Sequence, residues 1–255
     1  MKNLSMVVDI GSTSVKGILV DDNNNIVSKY YLKIKDDYVS TYGRVINMLR
    51  SSISLNEYRV TSFKLTGIRK RLLERSLGKE YFISEINSLV NYASTKYKIG
   101  TIIDIGNSLK IIDFKNSKIN NYVIDDFNYY GKVIDRVKSI LNIDIININN
   151  TRVKFNNTDT IFFNYNVINL LLKKYSKEEI LLGTYNLIID NILYNLKDIE
   201  LKDNIIITGG LSFDKSFIKV LEKSLNKKIS IMDNSEYSSC IGASLIVRDK
   251  LSIHK

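Results

Sequence analysis

The sequence of 255 residues contains no proline, no tryptophan, one cysteine and one histidine. The single cysteine, Cys240, excludes an internal disulfide and a zinc or iron–sulfur site made by one subunit alone. The single histidine, His254, stands in the terminal tail, so we do not expect a histidine-dependent catalytic triad. No apolar run approaches the roughly 20 residues that a membrane helix needs, and the first residues do not form a secretory signal. We therefore expect a cytoplasmic protein without a membrane segment.

Lysine and arginine (37) outnumber aspartate and glutamate (27), which gives a formal net charge of +10. The basic residues are spread along the chain, and lysine, asparagine, isoleucine and tyrosine are abundant together, which is typical of an A+T-rich genome. We interpret most of this charge as a solvated basic face, and the sequence does not indicate a nucleic-acid partner. The densest basic stretch, Arg69 to Lys79, stays open as a surface for a partner.

The pattern of predicted elements occurs twice along the chain. In the first half the predicted elements are a strand–turn–strand–turn–strand meander over 6–32, a helix over 39–52, a strand over 62–67 and a helix over 82–93. In the second half they are a meander over 101–124, helices over 132–141, 165–174, 177–195 and 215–225, strands over 204–210 and 228–232, and a last helix over about 238–250. This duplication predicts an α/β fold of two domains, 1–98 and 99–255, with a ligand cleft between them. We expect the last helix to pack back on the first domain.

The first turn has the chemistry of a phosphate site. Gly11, Ser12, Thr13 and Ser14 offer backbone N–H groups and hydroxyls at one point, and such a turn can surround an oxyanion. Asp9 ends the preceding strand; it repels phosphate but can hold Mg²⁺ through water, because Mg²⁺ prefers oxygen ligands and keeps several waters. Lys16, on the returning strand, would supply a counter-charge. An ordinary hairpin is the alternative interpretation.

The second meander carries a similar turn. Asp104 precedes Gly106, Asn107 and Ser108, and Lys110 follows on the returning strand. One of the two aspartates could then hold a metal ion and the other could orient a water. Farther along, Gly209 and Gly210 follow an apolar strand, where bare backbone can accept a sugar or a ring. The chain contains neither a Walker loop nor a Rossmann fingerprint.

Three motifs together resemble those of a known superfamily. Asp9-Ile-Gly-Ser-Thr-Ser-Val-Lys16, Asp104-Ile-Gly-Asn-Ser-Leu-Lys110 and Thr208-Gly-Gly-Leu211 are similar to the phosphate-1, phosphate-2 and adenosine motifs of the actin/Hsp70/sugar-kinase (ASKHA) ATPases. Length and spacing most resemble the BadF/BadG/BcrA/BcrD-type ATPases, which include the activators of 2-hydroxyacyl-CoA dehydratases. The resemblance covers nearly the whole chain and extends to Leu65-Thr66-Gly67 and Ser84-Glu85-Ile86. It implies two actin-like (ribonuclease H-like) domains with a nucleotide cleft between them.

The resemblance also implies a homodimer that bridges a [4Fe–4S] cluster through two cysteines per subunit and uses ATP hydrolysis to drive an electron into a dehydratase. This sequence departs from the family at those positions. The segment 125–135 has no cysteine where the family has Cys-Ala-Ala-Gly-Thr-Gly, and Asp159 stands at the second cysteine position. We therefore expect no iron–sulfur cluster. The second phosphate loop also lacks the family's glutamine and second aspartate, and Asp214 replaces the adenosine-site asparagine.

The prediction is an ATP-binding and ATP-hydrolysing, activator-like protein that uses Mg²⁺, acts on a client enzyme and lacks a cluster. Asp9 and Asp104 would organise Mg²⁺ and the attacking water, with Glu85 in the metal shell. The nucleotide would be held by Gly11, Ser12, Thr13, Ser14, Lys16, Gly106, Asn107, Ser108, Lys110, Gly209, Gly210 and Asp214. Two alternatives stay open: a non-catalytic scaffold that binds nucleotide or a partner, and a small-molecule kinase of the same superfamily.

Overall fold

The computed structural model describes residues 1–252 except 36, 70–72, 74–75, 127–128, 149 and 156–159, and the side chains of 160–164 and 247–252 are outside that description. Outside the described part lie Asp159 and His254, together with three basic residues of the stretch Arg69 to Lys79: Lys70, Arg71 and Arg75. The chain forms two compact units. The first comprises Met1–Lys98, Asn116–Lys118 and Glu236–Lys255, and the second comprises Ile99–Lys115 and Ile119–Ser235.

The first unit is built on a four-stranded sheet. Its strands are β1 (Lys2–Ile10), β2 (Ser14–Asp21), β3 (Ile26–Lys33) and β4 (Tyr58–Thr66), in the order β3-β2-β1-β4. Consecutive strands β1, β2 and β3 pair antiparallel, whereas β4 runs parallel to β1. The β2–β3 turn needs no proline, because the Asp21 carboxylate accepts the N–H groups of Asn23 and Asn25.

The helices that accompany this sheet include α1 (Tyr38–Ser51), α2 (Glu85–Ser94) and α7 (Ser238–Ser252). Helix α2 begins at Glu85 rather than at the predicted residue 82, because Phe82 has an extended backbone that bridges to β4 and Ser84 caps the helix. Helices α2 and α7 cross in close contact. A Cβ atom added to Gly242 would lie 1.7 Å from the carbonyl oxygen of Ser88.

The second unit contains a five-stranded sheet. Its strands are β5 (Ile99–Ile105), β6 (Leu109–Lys115), β7 (Lys118–Asp125), β8 (Ile205–Thr208) and β9 (Ile229–Ile231), in the order β7-β6-β5-β8-β9. Strands β5 and β6 are antiparallel, and β8 is parallel to both β5 and β9. In each sheet, the first strand of an antiparallel hairpin also pairs in parallel with a strand from later in the chain. The ends of β1 and β4 therefore lie side by side, and so do the ends of β5 and β8.

The helices of the second unit are α3 (Tyr130–Leu141), α4 (Thr160–Leu172), α5 (Lys177–Asn195) and α6 (Lys215–Leu225). Helix α5 has the predicted bounds because Ser176 and Glu179 form a capping box at its start. Its buried residues form the core with the isoleucines of β5 and β8. Within the described residues, no helix combines the length and the apolar composition needed to cross a membrane.

The thiol of Cys240 lies in the core of the first unit with Val7 of β1 and Ile18 of β2. It donates a weak hydrogen bond to the carbonyl of Lys16, with 3.7 Å between sulfur and oxygen. Burial raises the pKa of the Cys240 thiol, and the nearby carboxylates of Asp9 and Glu85 raise it further. Cys240 is therefore a buried residue of this core.

Candidate functional site

The turn between β1 and β2 is held by hydrogen bonds to its backbone. The Gly11 N–H donates to the Ser14 carbonyl at 3.0 Å, and the Ile34 N–H donates to the Thr13 carbonyl at 2.8 Å. The Tyr38 hydroxyl donates to the Ser12 carbonyl at 3.4 Å. Because the C=O and N–H of a trans peptide point in opposite directions, the amide of Thr13 points away from Tyr38. The carbonyls of Ser12, Thr13 and Ser14 and the amide of Gly11 are therefore engaged within the protein, which leaves the amides of Ser12 and Thr13 as the candidate donors to an anion.

Asp9 lies in β1 directly before this turn. The carboxylate is buried, with 5% of the side chain exposed, and its Oδ2 lies 3.5 Å from the Nζ of Lys16, the cross-strand neighbour on β2. The other oxygen, Oδ1, is buried and accepts no hydrogen bond from the residues that the structure describes. A buried carboxylate oxygen is costly unless it meets a donor or a cation. The chemistry of this oxygen therefore fits a metal ion or a metal-bound water.

The end of β4 lies beside Asp9. In the parallel register, Thr66 is the partner of Asp9, and its hydroxyl is also buried without a hydrogen bond in the described part of the chain. Gly67 follows with a φ of +94°, a conformation that favours glycine. A Cβ atom there would lie 2.2 Å from Oδ1 of Asp9. The Thr-Gly end of β4 thus leaves room for the free carboxylate oxygen.

The turn between β5 and β6 is anchored to the start of α3. The Gly106 N–H donates to the Ser108 carbonyl at 3.0 Å, and the Gly131 N–H donates to the Gly106 carbonyl at 2.8 Å. The Asn107 Oδ1 accepts the Lys132 N–H at 3.1 Å, while its Nδ2 is buried and donates to none of the described residues. The amide nitrogen of Asn107 is therefore a further candidate donor to an anion.

Asp104 occupies the second unit's position that matches Asp9, but both of its carboxylate oxygens are paired. Oδ2 lies 3.0 Å from the Nζ of Lys110, and Oδ1 accepts the Thr208 hydroxyl at 2.8 Å. Lys110 also donates to the Ser108 hydroxyl at 3.1 Å. Gly209 follows Thr208 with a φ of +84°, as Gly67 follows Thr66. The side chain of Asp104 is thus held in one orientation by β6 and β8.

Asp214 lies at the start of α6 and is held by three donors. Its Oδ1 accepts the Phe217 N–H at 3.0 Å and caps the helix. Its Oδ2 accepts the Tyr185 hydroxyl at 2.8 Å and lies 2.9 Å from the Nζ of Lys138. Burial, together with this carboxylate, raises the pKa of Tyr185, so the hydroxyl remains a donor. These contacts give Asp214 a role in placing the segment that follows the paired glycines.

Gly210 and Glu85 complete the predicted set. Gly210 is exposed, begins a short 3₁₀ turn to Phe213, and would meet no atom within 4 Å if it carried a Cβ. Phe213, which sequence reasoning did not single out, is 58% exposed in the same turn. Glu85 is the half-buried first residue of α2. The open backbone at Gly210 and the exposed Phe213 ring in the same turn are both accessible to a ligand.

The structure therefore brings Asp9, the turn 11–14, Lys16 and Glu85 into the first unit. It places Asp104, the turn 106–108, Lys110, Gly209, Gly210 and Asp214 in the second. Sequence reasoning missed the role of Thr66 and Thr208. The signal was the Thr-Gly pair that ends both β4 and β8. In the described residues, no group of three or more His, Cys, Asp and Glu side chains is placed to hold a metal ion. Mg²⁺ needs only one or two carboxylates when phosphates and water supply the rest.

Comparison with known protein families shows to which family this chain belongs. The sequence profile of the BadF/BadG/BcrA/BcrD ATPase family matches residues 8–247. The chain belongs to this ATPase family. The match spans both phosphate-type turns, both Thr-Gly strand ends and the Gly209–Gly210 pair, and it confirms the family resemblance inferred from the motifs.

Individual relatives align along most of the chain. An uncharacterized protein of Methanocaldococcus jannaschii is 27% identical, over 94% of this chain and 98% of the relative. The (R)-2-hydroxyglutaryl-CoA dehydratase activating ATPase of Acidaminococcus fermentans is 24% identical, over 98% of this chain and 99% of the relative.

Solved structures settle the fold. The activator of the 2-hydroxyisocaproyl-CoA dehydratase from Clostridium difficile, solved with bound ADPNP, matches with a TM-score of 0.84. It covers 98% of this chain and 96% of that structure at 21% identity. The predicted α/β fold with duplicated actin-like domains is confirmed.

Proposed function

We propose that this protein binds Mg-ATP and hydrolyses it, and that it acts as an activator of a client enzyme without an iron–sulfur cluster. In this proposal Gly11–Ser14 with Lys16, and Gly106–Ser108 with Lys110, hold the phosphates. Gly209 and Gly210 hold the adenosine, and Asp214 fixes the segment behind them. The anchored turns and the open backbone at Gly210 support these assignments.

The observation that carries the proposal is the buried, unpartnered Oδ1 of Asp9. Bound Mg²⁺ would neutralise phosphate charge and supply the polarisation that phosphoryl transfer requires. Asp9 would hold the ion directly or through its waters, with Glu85 adding negative charge on the same unit. Asp104, oriented by Lys110 and Thr208, would hold the attacking water and accept its hydrogen bond.

The activator role is supported by the relatives that activate 2-hydroxyacyl-CoA dehydratases. The cluster that the family resemblance implies does not fit this chain. Such a cluster needs four thiolates, and a dimer of this protein would contain two, each from a buried Cys240. We therefore do not propose that this protein donates electrons through a cluster. The client enzyme would respond only to the state of the nucleotide bound to this protein. A homodimer remains a proposal.

Thermal unfolding tests nucleotide binding. Ligand at about 100 times its dissociation constant adds about 2.7 kcal/mol to the free energy of unfolding. For a chain of this size we expect the melting temperature to rise by several degrees, at roughly 2–4 °C per kcal/mol. The Asp9→Asn variant should lose most of the rise that depends on Mg²⁺, with the rise measured against the variant's own melting temperature without ligand. No rise for the native protein in millimolar Mg-ATP would contradict nucleotide binding.

A non-catalytic, nucleotide-gated scaffold is the second candidate, and the pairing of Asp104 favours it. Both oxygens of that carboxylate already accept hydrogen bonds from Lys110 and Thr208, so it has less capacity to orient a water. Phosphate release separates the two functions. Hydrolysis that falls strongly in Asp104→Asn supports the ATPase, whereas binding of Mg-ATP without phosphate release in the native protein supports the scaffold.

A further inference from the structure

We infer that Arg69 contacts the polyphosphate of the bound nucleotide from the first unit, an inference that rests on the nucleotide binding proposed above. Arg69 stands two residues after Gly67, with only Ile68 between it and the Thr-Gly end of β4. Its backbone N–H donates to the carbonyl of Ile10 at 2.9 Å. Ile10 is the last residue of β1 and precedes Gly11. The backbone of Arg69 is therefore attached to the start of the phosphate-type turn.

The side chain of Arg69 is held at the same turn. Its guanidinium carbon lies 4.9 Å from the centre of the Tyr38 ring, within the range of a cation–π contact. The hydroxyl of Tyr38 donates to the Ser12 carbonyl in the turn at 3.4 Å. One aromatic ring therefore links the guanidinium to the backbone that is proposed to hold phosphate.

The charge of Arg69 is available for an anion. Arg69 is exposed, and none of the ion pairs of the described residues involves its guanidinium. Arginine stays protonated in proteins and presents a planar set of donors that binds phosphate through two hydrogen bonds. A guanidinium carries five N–H donors, so its contact with the single Tyr38 ring leaves donors to bind phosphate oxygens.

The matching position of the second unit carries no cation. Leu211 stands two residues after Gly209, as Arg69 stands two residues after Gly67, and it is buried. The two Thr-Gly strand ends are therefore followed by different residues, an exposed arginine and a buried leucine. A structural requirement that both strand ends share does not explain the arginine. The added positive charge of Arg69 thus lies in the same unit as the Asp9 oxygen that has no hydrogen-bond partner among the described residues.

Titration calorimetry with Mg-ATP and with AMP tests the inference. We expect Arg69→Gln to weaken Mg-ATP binding by about 10- to 100-fold and to change AMP binding by less than about twofold, because AMP lacks the terminal phosphates. Arg69→Lys should lie between, since it keeps the charge and loses the planar fork. Arg59→Gln is the matched control, because Arg59 is exposed near the opposite end of β4.

Tyr38 provides the second pair of variants. Tyr38→Phe keeps the ring, and Tyr38→Leu removes it, so only the leucine variant should reproduce part of the loss seen for Arg69→Gln. Equal affinity of native protein and Arg69→Gln for Mg-ATP, or an equal loss for Mg-ATP and AMP, would overturn the inference. Absence of Mg-ATP binding in the native protein would instead overturn the proposed function.

Discussion

The two units place the same residues at the ends of two parallel strands, but they pair them differently. In the second unit, Thr208 donates to Asp104 at 2.8 Å and Lys110 lies 3.0 Å from the same carboxylate. In the first, the hydroxyl of Thr66 and Oδ1 of Asp9 are both buried without a hydrogen bond in the described residues. The second carboxylate is therefore satisfied by the protein, whereas the first is suited to a group from outside.

The two phosphate-type turns, 11–14 and 106–108, also differ in length. Ile10 pairs with Val15 across the first hairpin, and Ile105 pairs with Leu109 across the second, so the first turn is one residue longer. Lys16 and Lys110 are each the cross-strand partner of the aspartate, yet their Nζ atoms lie 3.5 and 3.0 Å from it. The shorter turn of the second unit thus carries the closer ion pair. The longer turn of the first unit has more amides for a ligand.

The largest expected effect comes from breaking the closer ion pair. Lys110→Met removes the cation from a pair whose side chains are only 6% and 12% exposed, and it leaves the Asp104 charge buried. Removing one partner of a buried pair costs about 3–5 kcal/mol, and we expect a loss of this order in urea-induced unfolding. Lys16→Met should cost clearly less, because the first pair is longer. Equal losses would show that the two carboxylates depend on their lysines alike.

The glycines after the two threonines test whether the strand ends share one geometry. An alanine at position 67 or 209 must adopt a positive φ, which costs about 1–3 kcal/mol. Its Cβ would also meet backbone, at 2.6 Å from the Ile10 carbonyl oxygen in the first unit and 2.5 Å from that of Ile105 in the second. We expect both variants to lose at least this much stability in urea unfolding.

The two glycine variants should differ toward ligand. Gly67→Ala also places a methyl group 2.2 Å from Oδ1 of Asp9, so it should abolish the thermal shift in Mg-ATP at temperatures where the variant is folded. Gly43 lies in α1 with no atom within 4 Å of its Cβ position, and Gly43→Ala serves as a control that keeps the shift and gains up to about 1 kcal/mol of stability. A full Mg-ATP shift in Gly67→Ala would contradict the assignment of that oxygen.

The sequence predicted the elements that local pattern controls. The α/β duplication and both hairpins followed from alternating apolar residues and Gly-rich turns, and helices 177–195 and 215–225 have the predicted bounds. The hydrogen-bond partners of Asp9 and Asp104 could not be predicted in this way. Thr208 is 104 residues from Asp104, and whether its hydroxyl reaches the carboxylate depends on the parallel register of two distant strands. The roles of the site residues remain predictions.

The smallest expected effect contrasts the two threonines. Thr208→Val removes the donor to Oδ1 of Asp104 and leaves a buried oxygen without that partner, at a cost of about 1–3 kcal/mol. Thr66→Val removes a buried hydroxyl that makes no hydrogen bond within the described residues, so stability should change by less than about 0.5 kcal/mol or increase slightly. Urea unfolding of both variants measures the difference. Because the two substitutions are chemically identical and both threonines are buried, equal losses would mean that Thr66 is hydrogen-bonded in solution, and the proposed contrast between an open and a closed carboxylate would fail.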